Sequence, residues 1–170
     1  MASPNRMKAV ANKYKDELDF KNLMDTYQKQ LYILIRRMVV DHDDTNDVLQ
    51  EVFILVWKNL DKFKGESGIY TWMYRIAVNQ CLKFIEKKKK RAKWMFSDYN
   101  IVLLDKIKAD SGFNEDKTLL LLQEAILKLP EKQRLVFQMR YYDEMLYKEM
   151  SEILQTSEGA LKASYHHAHK

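Results

Sequence analysis

Cysteine occurs once in the 170 residues, proline twice and glycine four times, and each scarcity narrows what the chain can be. A lone thiol, Cys81, can form no intrachain disulfide and can build no cysteine zinc cluster. Prolines only at Pro4 and Pro130, with so few glycines beside abundant Leu, Met, Lys and Glu, favour an all-α architecture. No run of eighteen apolar residues occurs, and the first twenty residues lack an apolar signal core, so the expected location is the cytoplasm. There is no phosphate-binding glycine loop and no nucleophile motif, which leaves no visible home for catalysis or for a cofactor.

What is present is charge, unevenly spread. The 29 Lys and Arg exceed the 24 Asp and Glu by only five. Between Cys81 and Lys93, however, seven basic residues face one acid, whereas Asp41 to Glu51 holds five acids and no Lys or Arg. The first pole suits phosphate and the second a basic protein surface.

The basic pole belongs to the stretch Gly65 to Arg91, an aromatic segment that runs into an amphipathic helix ending in five consecutive basic residues. At about 100° per residue, Tyr70, Tyr74, Ala77, Val78, Cys81, Phe84 and Ile85 share one side and face a core. Trp72, Ile76, Asn79, Lys83, Lys87 and Lys90 gather on the other. A large ring, an amide and a row of ammonium groups together suit single-stranded DNA, because each base offers a face to stack on and each nucleotide a phosphate to neutralise. The alternative is a tryptophan partly buried by a neighbour and lysines that form a solvated helix end.

Residues 1 to 18 read as a polar N-terminal arm. A core helix is expected from about Asp19 to Val39, where Phe20, Leu23, Met24, Tyr27, Leu31, Leu34, Ile35 and Met38 follow steps of three and four. Asp41 to Asp44 break the pattern, and Asp44 or Thr45 is expected to cap a second helix reaching about Phe63. Its buried stripe is Val48, Leu49, Val52, Phe53, Val56 and Leu60. Ile54 projects away from that stripe among Asp47, Gln50, Lys58 and Asp61, with Trp57 at the margin. An apolar residue ringed by carboxylates and amides fits a protein docking site, although isolated exposed apolar residues are common and acids near a helix start also serve the helix dipole.

Residues 92 to 115 have mixed character, apolar material interrupted by Ser97, Asp98, Asn100, Asp110, Ser111 and Gly112, and a linker with one short helical turn is expected. A second domain follows from residue 116 to 170. Leu119, Leu122, Ala125, Ile126 and Leu129 make a helix that stops before Pro130, and Pro130 can start the next, through Leu135, Val136, Phe137, Met139 and Arg140. A short helix from about Leu146 to Leu154, a turn at Gln155 and Thr156, and a last helix capped by Ser157 have the proportions of a helix-turn-helix. Ala160, Leu161, Tyr165 and Ala168 are expected to pack inward, and Glu158, Lys162, Ala163 and His166 to look into a DNA groove. Short helix pairs also occur in purely structural bundles. His166, His167 and His169 sit at a terminal helix end without the surrounding ligands a metal site needs, so no metal is expected.

These parts together resemble the extracytoplasmic-function sigma factors of bacterial RNA polymerase. The likeness rests on the block from Asp44 to Phe53, DTNDVLQEVF, continuing into YTWMYRIAVN from Tyr70 to Asn79, and on LPEKQRLVF from Leu129 to Phe137 with the helix pair after it. It spans about Phe20 to Arg91 and Leu119 to Lys170. The resemblance implies two small helical domains: region 2, of three or four helices over residues 19 to 91, and region 4, of four helices with the helix-turn-helix. Region 2 would dock on the β′ clamp helices of core RNA polymerase through Asp47, Gln50, Glu51 and Ile54. It would hold the melted minus-ten strand through Trp72, Arg75, Asn79 and Lys83, with Lys87, Lys90 and Arg91 on phosphates. Region 4 would read the minus-thirty-five element with Ser157, Glu158, Lys162, Ala163 and His166, and touch the β flap. The intervening linker would thread toward the RNA exit path. An anti-sigma factor is the further partner implied.

Three departures accompany the likeness: Glu149-Met-Ser151 stands where the family usually has Glu-Ile-Ala, Gln155 where its turn has glycine, and His167 where arginine is frequent. The chain also ends at Lys170, about where a further basic turn is expected, as a truncated chain would. The implied function is promoter recognition and strand opening. Two rivals are an autonomous helix-turn-helix regulator, which would bind duplex DNA tightly alone, and a metal-dependent phosphohydrolase using His42, Asp43 and Asp44, which would lose activity in Asp44→Ala.

Overall fold

Long stretches with an apolar residue at every third or fourth position and almost no helix breakers fold into helices that hide one stripe each. The computed structural model of the protein describes residues 17–95, 98–109 and 117–169, and among them every regular element is helical. The expected all-α fold is the one observed. The arm expected over residues 1 to 18 lies, up to residue 16, outside the described residues.

The chain divides into two compact units between Phe84 and Ile85. In the first, α1 (Glu17–Val39) packs against α2 (His42–Asn59), and α2 tightens into a 3₁₀ turn at Leu60–Lys62. The start of α3 (Ile69–Trp94) completes the unit. Leu31, Ile35 and Val39 from α1, Val48, Val52 and Val56 from α2, and Met73, Tyr74, Ala77 and Cys81 from α3 are all fully buried. The periodic stripes thus meet in one core, and Met73 joins it from outside the expected face. Tyr27 stacks on Tyr70 with centroids 5.4 Å apart, fastening α1 to the first turn of α3.

The junction of α1 and α2 corrects one expectation. The cap of α2 is Asp41, not Asp44 or Thr45: its carboxylate accepts from the Asp44 N–H at 2.9 Å. Thr45 is instead buried, its hydroxyl donating to the Asp41 carbonyl. The helix starts earlier because Asp43 and Asp44, read as breakers, are acids in its first turn, where the exposed N–H groups favour negative charge. The chain turns at Val40, which has φ of 72°. A β-branched residue in the left-handed region costs about 1–2 kcal/mol, and burial of its side chain offsets a comparable amount.

In the second unit, α4 (Tyr99–Ala109) pairs with α5 (Lys117–Lys128), and α6 (Glu131–Tyr141), α7 (Tyr147–Leu154) and α8 (Glu158–His169) pack on one another. The eleven residues of α4 replace the single helical turn expected in the 92–115 segment. Asp98 and Asn100, read as breakers, begin the helix: the Asp98 carboxylate accepts from the Asn100 N–H at 2.8 Å, and its carbonyl from the Val102 N–H at 3.2 Å. Tyr99, Leu103 and Ile107, four apart, are the buried stripe.

Pro130 directly precedes α6, extended at φ −52° and ψ 143°. Arg134 then reaches back to the end of α5. Its Nη2 donates to the carbonyls of Leu127 at 3.2 Å and Leu129 at 3.3 Å, which have no later helical N–H to accept from. Desolvation of this part-buried guanidinium pulls its pKa down from the usual arginine value, while Glu131 acts in the opposite direction.

Candidate nucleic-acid interface

The two flanks of α3 differ as the sequence pattern requires. Tyr74, Ala77, Val78, Cys81 and Ile85 are buried, while Arg75, Asn79, Lys83, Lys87, Lys90 and Arg91 are exposed. Trp72 is half-buried, its ring 5.2 Å from that of the buried Phe63. The indole therefore sits as a braced edge at the head of a polar and cationic strip and is not a freely swinging side chain. Ile76 beside it is also half-buried.

The basic residues are not equivalent. Lys90 pairs with Glu86 one turn back at 2.7 Å, and that ammonium holds the exposed Glu86 carboxyl below its usual pKa. Lys89 is tied to Glu131 at the start of α6. Lys83, Lys87 and Arg91 are exposed along the strip.

On α2, Asp47, Gln50, Glu51 and Ile54 are all exposed, Ile54 to 44 %. The sequence did not disclose that Gln50 and Ile54 line a groove of about 560 Å³ together with Phe20, Met24, Gln28, Phe53 and Trp57. Phe20 closes it edge-on against Trp57, centroids 4.8 Å apart. Phe20 and Met24 lie on the core-facing stripe of α1. Periodicity fixes the azimuth of a side chain but not whether a neighbouring helix covers it there, and among the described residues Phe20 and Met24 are only partly covered. Glu51 accepts a hydrogen bond from Gln80 of α3, so one of the expected docking carboxylates also braces the helix carrying the basic strip.

In the second unit α7, a three-residue turn from Gln155 to Ser157 and α8 form the expected helix-turn-helix. Gln155 adopts a left-handed conformation, φ 51° and ψ 43°, at the position where the sequence lacks glycine. Its side-chain amide donates to the Glu152 carbonyl at 2.8 Å and the Thr156 hydroxyl to Leu154 at 3.1 Å, so both side chains satisfy carbonyls left open by the turn. Ser157 Oγ accepts from the Ala160 N–H at 3.4 Å, a long capping bond. Glu158, Lys162, Ala163 and His166 of α8 are exposed, as is Ser157 just ahead of it. Leu161 is buried, and Tyr165 stacks on Phe137 at 6.0 Å. Ala160 departs from the expectation of inward packing and is exposed, while Leu161 beside it is buried. Among the described residues no group of three or more His, Cys, Asp and Glu is placed to hold a metal ion.

A helical protein with an exposed basic and aromatic helix flank and a helix-turn-helix has the features of a DNA-binding protein. Comparison with known families makes that class specific. Residues 23–91 match the family Sigma-70 region 2, and residues 119–170 match Sigma-70, region 4. The chain is 33 % identical over 181 aligned residues to the ECF RNA polymerase sigma factor SigW of Bacillus subtilis, covering 98 % of this chain and 92 % of that protein. It is 30 % identical over 158 residues to the ECF RNA polymerase sigma-E factor of Escherichia coli, covering 87 % and 81 %. Its fold is similar to that of CnrH, solved in complex with the cytosolic domain of CnrY, with a TM-score of 0.66 at 19 % identity over 96 % of this chain and 92 % of that one. It is similar also to RpoE of Bartonella quintana, solved with the anti-sigma factor NepR, with a TM-score of 0.65 at 18 % identity over 89 % and 92 %.

The chain belongs to the extracytoplasmic-function sigma factors of RNA polymerase. It is a promoter-recognising sigma factor, and the family is one of transcription initiation factors. The comparisons lend no support to an autonomous helix-turn-helix regulator.

Proposed function

We propose that the chain directs core RNA polymerase to promoters by using the exposed faces of α2 and α3 and the recognition helix α8. Region 2, within residues 19–91, docks on the β′ clamp helices through Asp47, Gln50, Glu51 and Ile54, where an apolar groove with an acidic rim meets a basic helical partner. Trp72, Arg75, Asn79 and Lys83 hold unstacked bases of the minus-ten strand, and Lys87, Lys90 and Arg91 neutralise its phosphates. Capture of a flipped base offsets part of the unstacking cost and so promotes strand opening, with no chemical step performed by the chain itself. Region 4, within residues 116–170, reads the minus-thirty-five duplex from Ser157, Glu158, Lys162, Ala163 and His166, and contacts the β flap. Residues 92–115 connect the two.

The complexes of CnrH with CnrY and of RpoE with NepR support a proteinaceous inhibitor, an anti-sigma factor, as a further partner. No described helix is long and apolar enough to cross a membrane, and a role on RNA polymerase supports a cytoplasmic location.

The observation that carries the proposal is the opposition on α3 of buried Tyr74, Ala77 and Cys81 to exposed Asn79, Lys83, Lys87 and Arg91. Run-off transcription on a promoter library with purified core polymerase tests it. The chain should direct initiation at a defined set of sites that core alone ignores, and Ile54→Asp should lower affinity for core about tenfold or more while leaving the circular dichroism spectrum unchanged. Site-specific initiation by the Ile54→Asp protein at wild-type concentration would remove the docking assignment.

A further inference from the structure

The helix-turn-helix contains a contact between its two helices that goes beyond the residues assigned to the DNA surface. Tyr147 is the first residue of α7, and two cations converge on its ring: Arg140 Cζ lies 5.4 Å from the centroid and Lys162 Nζ 5.6 Å. Arg140, from the end of α6, is itself fixed, because its Nη1 donates to the Met145 carbonyl at 3.0 Å and to the Glu144 carbonyl at 3.4 Å. Those carbonyls belong to the turn that leads into α7, where Glu144 has φ of 49°. Lys162, on α8, also lies 3.8 Å from Glu158 one turn back. Its side chain remains 60 % exposed.

We propose that Tyr147 is a positioning residue for DNA recognition, its ring holding the Lys162 ammonium in place beside the recognition surface. The inference rests on the assignment of Lys162 to the minus-thirty-five surface. A lysine on an open helix face has about 2 kcal/mol of rotamer entropy to lose when it meets DNA. Here the negative face of the ring and the Glu158 carboxylate restrict the ammonium beforehand, so less freedom is lost on binding. The anchored Arg140 takes the same ring and fixes its orientation, which makes α6, the turn and α7 one support for a side chain on α8.

The test uses holoenzyme assembled from core polymerase and the full chain, with a promoter duplex recovered by run-off selection as the probe. Lys162→Gln should weaken promoter binding; unchanged affinity would overturn the proposal by removing its premise, the assignment of Lys162. Tyr147→Leu should weaken binding about two- to fivefold, the size of an exposed cation–π contact, and Tyr147→Phe, which keeps the ring, should bind as wild type does. In a Lys162→Gln background the effect of Tyr147→Leu should vanish. A loss with Tyr147→Phe equal to that with Tyr147→Leu would assign the effect to the hydroxyl and overturn the proposal. So would a Tyr147→Leu effect that persists undiminished in Lys162→Gln, the result of a merely structural role. If Tyr147→Leu does not fold by circular dichroism, Tyr147→Met replaces it in the same cycle.

Discussion

A thiol on the buried side of α3 shows how far one residue's chemistry is set by the helix it stands on. Cys81 is fully buried, and burial pushes its pKa up from 9.0 to about 12, against a smaller opposing effect of a backbone hydrogen bond. The native thiol therefore stays protonated at pH values where the unfolded chain carries a thiolate. Its raised pKa means that the contribution to stability is fully present below pH 9 and is lost as pH rises from about 9 toward 12, since the unfolded state then holds fewer protons than the native one. Thiolate is the species that alkylates, so at pH 9 native Cys81 should react with iodoacetamide about 500-fold more slowly than a short peptide thiol. The rate should rise to the peptide value in denaturant, and a native rate equal to that of the peptide would contradict the buried placement. The buried location of Cys81 was legible in the sequence because a 3.6-residue period assigns it directly. The half-burial of Trp72 was open only as one of two readings, since the covering neighbour is Phe63, a residue beyond the 3₁₀ turn that no helical period connects to α3.

At the level of elements, the sequence located the helices well and their ends less well, for reasons visible at each junction. Stripes of buried residues define a helix over many positions at once, whereas a boundary depends on one side chain's hydrogen bond, as with Asp41 ahead of α2 and Asp98 ahead of α4. Acids and amides were read as interruptions where they are in fact beginnings. The motif from Leu129 to Phe137 now has a local physical meaning as well as a resemblance: Pro130 sets the chain for α6, and Arg134 returns to cap α5. Gln155 is the element-scale exception, a left-handed residue with a side chain where glycine would carry no Cβ penalty. Gln155→Gly should stabilise the helix-turn-helix by about 0.5–1 kcal/mol, the left-handed penalty less the bond to the Glu152 carbonyl that is given up. Chemical denaturation would show it as a higher midpoint at constant slope. A lower midpoint would mean that the Gln155 amide contributes more than the backbone penalty removes.

For the molecule as a whole, the uneven distribution of charge matters more than its net value of +5. Acidic residues gather on α2 and basic ones toward the end of α3, and the basic run itself is partly neutralised within the chain by the pairs of Lys90 with Glu86 and Lys89 with Glu131. A count of lysines in the sequence therefore overstates the charge available to DNA, which only the side-chain placement could reveal. Promoter affinity of the holoenzyme should fall linearly with the logarithm of salt concentration, with a slope set by the phosphates neutralised. Replacing Lys87 and Arg91 together by glutamine should make that slope shallower by about 1.4, from roughly 0.7 per single-strand phosphate contact. Replacing Lys89 and Lys90 should flatten it less, because each already faces a carboxylate that would be left behind. Binding measured between about 50 and 200 mM salt separates the two pairs. Equal slopes in wild type and in the Lys87, Arg91 double variant would return that end of α3 to a solvated helix terminus, and equal changes in the two double variants would mean that the Glu86 and Glu131 pairs open when the strand binds.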